Sequence, residues 1–350
     1  MRPEFARSVE GGVELGFLHD RLGLEVTAYR KVTTDQIVQN IRGSYATGFI
    51  LFNLNGAKTR SRGVEATLRA TPILKPEFSW DFSANFAAAG SVVVSLPRSL
   101  PESYVSDSWL YGNVRAGTMP GLSTMSLTGQ FYLRVKSDSG HLGALLIDPA
   151  SGLPLRSADF IDAGYDRQPD FTIGLTNTFH YKRFTLDFLL DIRKGGDVFD
   201  ATDHYLTTHG LSMSTLDREQ PRVIPGVVRD GKENSANPTV NTIVVIPAVE
   251  PAYYTSMSEE LFIERDINWL RLRDVQLSYS LPPAALRVLH ATDGSVFVKG
   301  TDLFLITNYT GLDPIVNGNT AAVGGSGGVG IDYGNFPAPR GVNFGVRVGF

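Results

Sequence analysis

Alternation of apolar and polar residues at period two, repeated in segments along the whole chain, restricts this sequence more than any other feature. It is cleanest at the C-terminal end, where Val342, Phe344, Val346, Val348 and Phe350 are apolar and Asn343, Gly345, Arg347 and Gly349 between them are polar or small. Phe184, Leu186, Phe188, Leu190 and Ile192 repeat the pattern, as do Phe171, Ile173, Leu175 and Phe179, and Phe78, Trp80, Phe82, Ala84 and Phe86. Period two puts successive side chains on opposite faces of a strand, so each segment needs two different surroundings. Reading all such runs gives about eleven strands, near 8–17, 22–32, 61–71, 77–89, 123–135, 141–147, 170–181, 184–194, 268–280, 295–303 and 341–350. Within 268–280 the phase changes between Leu270 and Leu272 on one parity and Val275, Leu277 and Tyr279 on the other, which predicts a β-bulge near Arg273.

The connections carry as much information as the strands. His19-Asp20-Arg21, residues 72–76, Lys136 to Gly140 and Lys182-Arg183 are short, and 281–294 is somewhat longer, with room for a helical turn after Pro282-Pro283. Segments 33–60, 90–122, 148–169, 195–267 and 304–340 are long and rich in Gly, Pro and Tyr. Short and long connections therefore alternate. No apolar run approaches the roughly 18 residues of a transmembrane helix. A transmembrane β-barrel needs only about 9–11 residues per strand, and it has short periplasmic turns on one rim and long extracellular loops on the other. A soluble β-sandwich or β-helix would also alternate, but would not put every long loop on one side. The fold expected is therefore all-β: an antiparallel, up-and-down portion of a transmembrane β-barrel. An odd strand count makes the first and last strands parallel, so they cannot close as an antiparallel pair, and an open edge in hydrocarbon is costly. The expectation is a part of a longer barrel, in keeping with an opening Met1-Arg2-Pro3-Glu4-Phe5 that lacks a signal-peptide apolar region.

Charge and motif content narrow the function. Lys+Arg 32 against Asp+Glu 36 gives a net charge of −4, too balanced for a nucleic-acid binder. Cysteine is absent, which removes thiol nucleophiles and Cys-based zinc sites. The six histidines are scattered, and neither a G-x-S-x-G elbow nor a phosphate-binding P-loop occurs. Nothing points to an enzyme, a cofactor or a metal. Gly324 to Gly328 reads as a flexible loop. Aromatic residues of the long loops offer faces on which a sugar or peptide could stack. Trp109, Tyr205, Tyr253, Tyr254, Tyr309 and Tyr333 are the candidates for substrate contact; packing of the loops, or contact with a lid protein, is the alternative for each. Asn308, Asp313 and Asp332 read as turn-capping residues. Phe17, Trp80, Tyr132, Tyr181 and Trp269 are candidates for interfacial girdles.

Several segments resemble the C-terminal half of the SusC/RagA-type TonB-linked outer-membrane receptors. Arg2-Pro3-Glu4 with Glu10-Gly11-Gly12-Val13-Glu14-Leu15-Gly16 is similar to the family's "KPE…EvGlel" strand, and Arg62-Gly63-Val64-Glu65 to its "N-x-G-v-E" strand. Phe179-His180-Tyr181-Lys182-Arg183-Phe184, followed by Gly195-Gly196-Asp197, resembles "F-x-YK-x-F" and "GGd". Trp269 through Pro282 resembles "FlRLrnvtLgYtLP", Asp302 through Pro314 resembles "NLfllTnYtGlDPe", and Gly330 through Arg340 the closing "G.D.g.yP..r". The likeness is densest at 260–350. It implies half of a 22-stranded plugged barrel in the outer membrane of a Gram-negative, Bacteroidota-like cell, importing oligosaccharides or peptides. The implied partners are a SusD-like surface lipoprotein over the long loops, the TonB complex through a plug region expected upstream of Met1, the barrel-assembly machinery and outer-membrane lipid. The terminal alternation Phe344, Val346, Val348, Phe350 resembles the signal such barrels present for assembly, which places the chain terminus at the periplasmic rim. Many members carry an acidic "D-x-NGDG" loop where this chain has Ile147-Asp148-Pro149-Ala150-Ser151-Gly152, and a single carboxylate cannot supply a calcium shell, so no metal site is carried over. Another outer-membrane receptor or porin, and a soluble all-β carbohydrate-binding protein, are the alternative readings.

Overall fold

The computed structural model describes all residues except 1, 43–45, 47, 49–50, 105–111, 137–140 and 317–327. Nine long strands form one antiparallel sheet: β1 (Phe5–Phe17), β2 (Leu22–Arg42), β3 (Leu51–Lys75), β4 (Phe78–Ser95), β5 (Phe171–Tyr181), β6 (Phe184–Lys194), β7 (Trp269–Ser280), β8 (Asp293–Thr307) and β9 (Gly341–Gly349). Each strand pairs with its neighbours in chain order, and β1 and β9 are the two open edges. This is the up-and-down wall the alternation predicts, with nine strands rather than about eleven. The count stays odd because two segments left it together. Residues 123–135 and 141–147 do not join the wall: β4 pairs directly with β5, from Phe78 opposite Tyr181 up to Ala87 opposite Thr172. The whole of 96–170 is thus one excursion from the wall. The turn expected at Lys136 to Gly140 falls within this stretch of sequence, and residues 137–140 lie outside the described residues.

Register sorts the wall into two faces, because directly paired residues of an antiparallel sheet point the same way. Phe344, Val298, Leu277, Leu186, Phe179, Trp80 and Ile73 stand side by side across seven strands. A second row on the same face runs Leu15, Leu24, Leu68, Ala84, Leu175, Leu190, Leu272 and Phe304. The opposite face carries Asn343, Lys299, Gln276, Asp187, Thr178 and Asp81 in one row. Glu14, Glu25, Thr67, Asn85, Gly174 and Asp191 form another. Near the short turns the apolar face ends in an aromatic row, Phe78, Tyr181, Phe184 and Tyr279, with the last two rings 4.9 Å apart. The polar face is closed at one point by Phe297, whose ring lies over Gly345; a Cβ there would fall 2.2 Å from it.

The bulge predicted near Arg273 is present. Leu272 pairs with Leu190 and Asp274 with Leu189, so Arg273 is the extra residue. It restores the phase: Leu270 and Leu272 before it and Val275 and Leu277 after it all fall on the apolar face. β8 bulges at the same level, where Asp302 takes a φ of 49°.

The short connections are 18–21, 76–77, 182–183 and 281–292, the last holding α2 (Pro283–Leu289) after Pro282 as expected. On the other side, 33–42 and 51–60, expected as loop, extend β2 and β3 beyond the apolar band. The described residues of 96–170, 195–268 and 308–340 fold over the far end of the wall into a cap with its own core. Residues 126–129, from the first of these, pair with 114–115 and 161–166, and 146–147 pairs in parallel with 227–228. The cap core comprises Val114, Leu127, Phe131, Phe199, Ala201, Phe262, Ile263 and Ile331. No helix among the described residues is long and apolar enough to cross a membrane.

Candidate functional site

The cap is the region where loop aromatics could meet a ligand, and its architecture starts at the wall. Gly195 and Gly196, at the end of β6, both take positive φ, 79° and 88°. At Gly196 a Cβ would lie 2.3 Å from the Arg193 guanidinium, so only glycine fits the reversal. The turn delivers Asp197, whose carboxylate accepts from the backbone N–H of Asp166 (2.9 Å) and of Asp266 (3.1 Å), joining two of the three cap segments. Burial pushes the Asp197 carboxyl up against these two stabilising bonds. Asp200 then caps α1 (Ala201–Thr208) by accepting from Asp203 N–H at 2.8 Å. Burial, with Asp332 and Asp203 nearby, raises its pKa to about 6.

The motif segments at 302–314 and 331–340 close the other side. Arg271 on the polar face of β7 bonds Asp313 and lies 3.3 Å from Asp302. Asp313 also accepts from Ile315 N–H (3.0 Å) and Ala338 N–H (3.1 Å). Burial raises its pKa, but Arg271 and the two backbone donors outweigh that and hold the carboxyl below its ordinary range. Asn308 accepts from Asn268 N–H at 2.7 Å, and Asp332 accepts from Asn335 N–H at 3.3 Å. Asp313 and Asp332 cap local turns, whereas Asn308 does not: it ties its segment to 266–268, donating also to the Asp266 carbonyl at 3.1 Å.

A second knot lies between the first two cap segments. Glu259, 2% exposed, accepts from the Asn113 backbone N–H at 2.8 Å and from Arg156 at 2.7 Å. His204 Nε2 stands 3.6 Å from Oε1, the oxygen that accepts from Asn113. Glu260 accepts from Tyr132 N–H at 3.1 Å and pairs with Arg134. Glu102 pairs with Arg115, whose guanidinium lies between the Tyr104 and Phe160 rings at 3.9 and 3.8 Å. Buried charges in such numbers are tolerated because each is paired and hydrogen-bonded. Beside the knot an apolar hollow of about 140 Å³ is lined by Tyr132, Leu153, Ile224, Tyr253 and Met257 among others.

The structure separates the aromatic candidates. Tyr309 is buried, and its hydroxyl donates to Asp332 at 2.7 Å; burial and the nearby Asp200 and Asp332 drive its pKa far up. Tyr253 is buried, lines the hollow and packs edge-on against half-buried Tyr254 with centroids 5.0 Å apart. Tyr333 is half-buried against the cap core. Tyr205 is exposed on α1 and stacks on His209 at 4.1 Å. Trp109 lies outside the described residues. Tyr132, read as a girdle residue, sits inside the cap because 123–135 is not a wall strand. Trp269 faces the polar side, with Arg193 over its ring at 4.9 Å. Phe344, Val346 and Val348 lie on the apolar face of the edge strand β9, and Phe350 follows it. The ion-pair knots had no sequence signal beyond two adjacent acids, Glu259 and Glu260, after a helix-capping Ser258.

Comparison with known proteins agrees with this architecture. Residues 1–193 match the family described as TonB dependent receptor-like, beta-barrel. TonB-dependent receptor P3 of Formosa agariphila is 25% identical over 99% of this chain and 34% of its own length. TonB-dependent receptor SusC of Bacteroides thetaiotaomicron is 23% identical over 87% of the chain and 29% of its own length. The fold superimposes on the structure of the RagAB peptide transporter with a TM-score of 0.65, at 18% identity, covering 99% of this chain and 35% of that one. The chain spans about a third of the length of the relatives it matches.

Proposed function

The chain belongs to the family of TonB dependent receptor-like β-barrels of the outer membrane, and on that footing we propose that it forms a sector of the wall and the extracellular roof of an energy-coupled importer of oligosaccharides or peptides. The observation that carries the reading is the two-faced open sheet with a folded, charge-knotted cap at one end. An apolar outer face suits lipid, and a row of carboxylates, amides and hydroxyls suits a lumen or the plug that would fill it. The open edges β1 and β9 need antiparallel partners inside hydrocarbon, which supports a sector of a larger barrel such as the family's 22-stranded one.

In this reading the chain does no covalent chemistry. Tyr205 and Tyr254 offer aromatic surface to a ligand; Tyr253, Tyr309 and Tyr333 shape the cap from within. The partners proposed are a SusD-like surface lipoprotein against the cap, the TonB complex acting through the plug, and the barrel-assembly machinery engaging the strand of Phe344 and Val346. The test is deletion of the receptor gene in its host, followed by growth on single oligosaccharides and on defined peptide mixtures, with a tagged receptor purified alongside. Loss of growth on one substrate class, restored by the intact gene, and a co-purifying surface lipoprotein are expected. Unchanged growth on every substrate of both classes would contradict the importer reading.

A further inference from the structure

The apolar face of the wall does not end in a mixed polar fringe. On β1–β3 it ends in arginine. Above the row Gly11, Ala28, Val64 and Ala88, the next row on that face is Val9, Arg30, Arg62 and Gly90. The row after it is Arg7, Val32, Arg60 and Val92. Four exposed guanidiniums thus cluster on three adjacent strands. Arg30 and Arg62 are directly opposite each other, an arrangement that is unfavourable for like charges unless an anion lies between them. None of the four side chains has an ion-pair or hydrogen-bond partner among the described residues. The carboxylates of these strands at neighbouring heights, Glu10 and Glu65, are on the other face. Elsewhere on the wall, the cation at the upper end of the same face, Lys194, is matched by Asp266 at 2.7 Å.

Height and shape identify what the cluster would hold. Arg30 and Arg7 sit level with positions eight and ten residues along β1 from Phe17 at the short turn. At about 3.4 Å per residue and a tilt near 40°, that is roughly 20–26 Å above the turn, the top of a hydrocarbon band about 25 Å tall. Arg60 and Arg62 line a hollow of about 200 Å³ with Gly90, Val92, Ser123, Asp166 and Gln168. Asp166 is the one carboxylate in that lining, and it accepts from Gln168 N–H at 3.0 Å. A Cβ on Gly90 would meet nothing within 4 Å, so space is open beside Arg62. Below, the small side chains Ala28, Val64, Ala66 and Ala88 leave a smooth apolar track. Guanidinium pairs bind phosphate in a fork, and the track would seat acyl chain.

We propose that Arg7, Arg30, Arg60 and Arg62 form a binding site for the phosphorylated headgroup of an outer-leaflet glycolipid. The inference rests on the outer-membrane reading of the wall. The test uses the full receptor purified in detergent, titrated by native mass spectrometry with bis-phosphorylated lipid A, with the same lipid dephosphorylated, and with sodium phosphate as competitor. The expected result is a preference of about tenfold or more for the phosphorylated lipid. That preference should be lost in the Arg30→Gln, Arg60→Gln, Arg62→Gln triple variant and kept in Lys194→Gln. Equal binding of the two lipids by the native receptor would overturn the site and leave the wall reading intact. Displacement by millimolar sodium phosphate would also overturn it, in favour of a free-anion site. Binding of neither lipid would overturn the lipid-facing assignment itself. Should the triple variant fail to assemble, the two-lipid comparison on the native receptor decides.

Discussion

The wall and the cap solve opposite problems with the same residue types. Phe344 on the wall is 82% exposed, and Phe131 in the cap is 1% exposed. The wall keeps its hydrophobic side chains on one exposed face, and no protein layer among the described residues covers it. Its stability comes from nine strands of continuous backbone pairing and, in the proposed reading, from a lipid solvent. The cap is built like a soluble domain, with an apolar centre and charged side chains brought inward in pairs. Alternation in sequence therefore means two different things in one chain. In the wall it separates an apolar face, proposed to meet lipid, from a polar one; in the cap it separates core from surface.

Breaking the cap should be the largest single effect. Glu259→Ala strands Arg156 and the Asn113 N–H in a buried site, at a cost of about 3–5 kcal/mol. In the full receptor, limited proteolysis on intact cells should then cut the cap much faster while the barrel still resists heat in SDS. Loss of the barrel as well would mean that wall and cap do not fold separately. Next comes the wall. Leu175→Arg places a charge in the middle of the apolar face, at about 2–4 kcal/mol, and should sharply reduce receptor in the outer membrane. Thr176→Arg, one residue on and facing the polar side, should leave the level unchanged. Equal losses would erase the distinction between faces.

Smaller effects sharpen the comparison within the cap. Tyr309→Phe removes one hydrogen bond to Asp332, which keeps Thr202 and Asn335 as donors, so about 1–2 kcal/mol is expected. It should appear as modestly faster cap proteolysis with no change in the wall. Asp200 supplies a pH signature. Its pKa in the folded cap is about 6, against an ordinary 3.8, because burial and neighbouring carboxylates oppose its charge. A raised acid pKa favours the folded state below the ordinary value, and that stability is lost as pH rises from about 4 to about 6. The cap should resist protease better at pH 5 than at pH 7. Asp200→Asn, which can still cap α1, should flatten that difference. A variant with the native pH profile would show that Asp200 is not its source.

Much of the wall was legible because a sheet with one apolar and one polar face imposes strict period two over 10 or more residues. Even the bulge at Arg273 could be read, since a phase change between Leu272 and Val275 has no other cheap explanation. The two surplus strands arose from the same logic. Met125, Leu127, Phe131, Leu133 and Val135 alternate as a wall strand does, but their apolar side packs into the cap, and periodicity does not tell which medium it faces. The upper parts of β2 and β3 were missed for a different reason. Three register shifts between Thr33 and Ile41 break the period, so the apolar residues Ile37, Val38, Ile41, Phe52 and Leu54 do not alternate. In the cap, the motif aromatics were legible as a group but not by role. Tyr309 and Tyr205 look alike in sequence; a carboxylate 23 residues away buries one, and a helix exposes the other. Pairs such as Glu259 with Arg156, 103 residues apart, leave no local trace at all.

The central claim, that one face of the nine-stranded wall meets lipid and the other meets the lumen, is tested most directly by nitroxide scanning of residues 342–349 in the assembled receptor. Collision rates with oxygen, which concentrates in lipid, and with a water-soluble nickel chelate should alternate out of phase. Positions 342, 344, 346 and 348 should favour oxygen, and 343 and 347 the chelate. Uniformly high chelate access at 344 and 346, or a period near 3.6, would contradict the account.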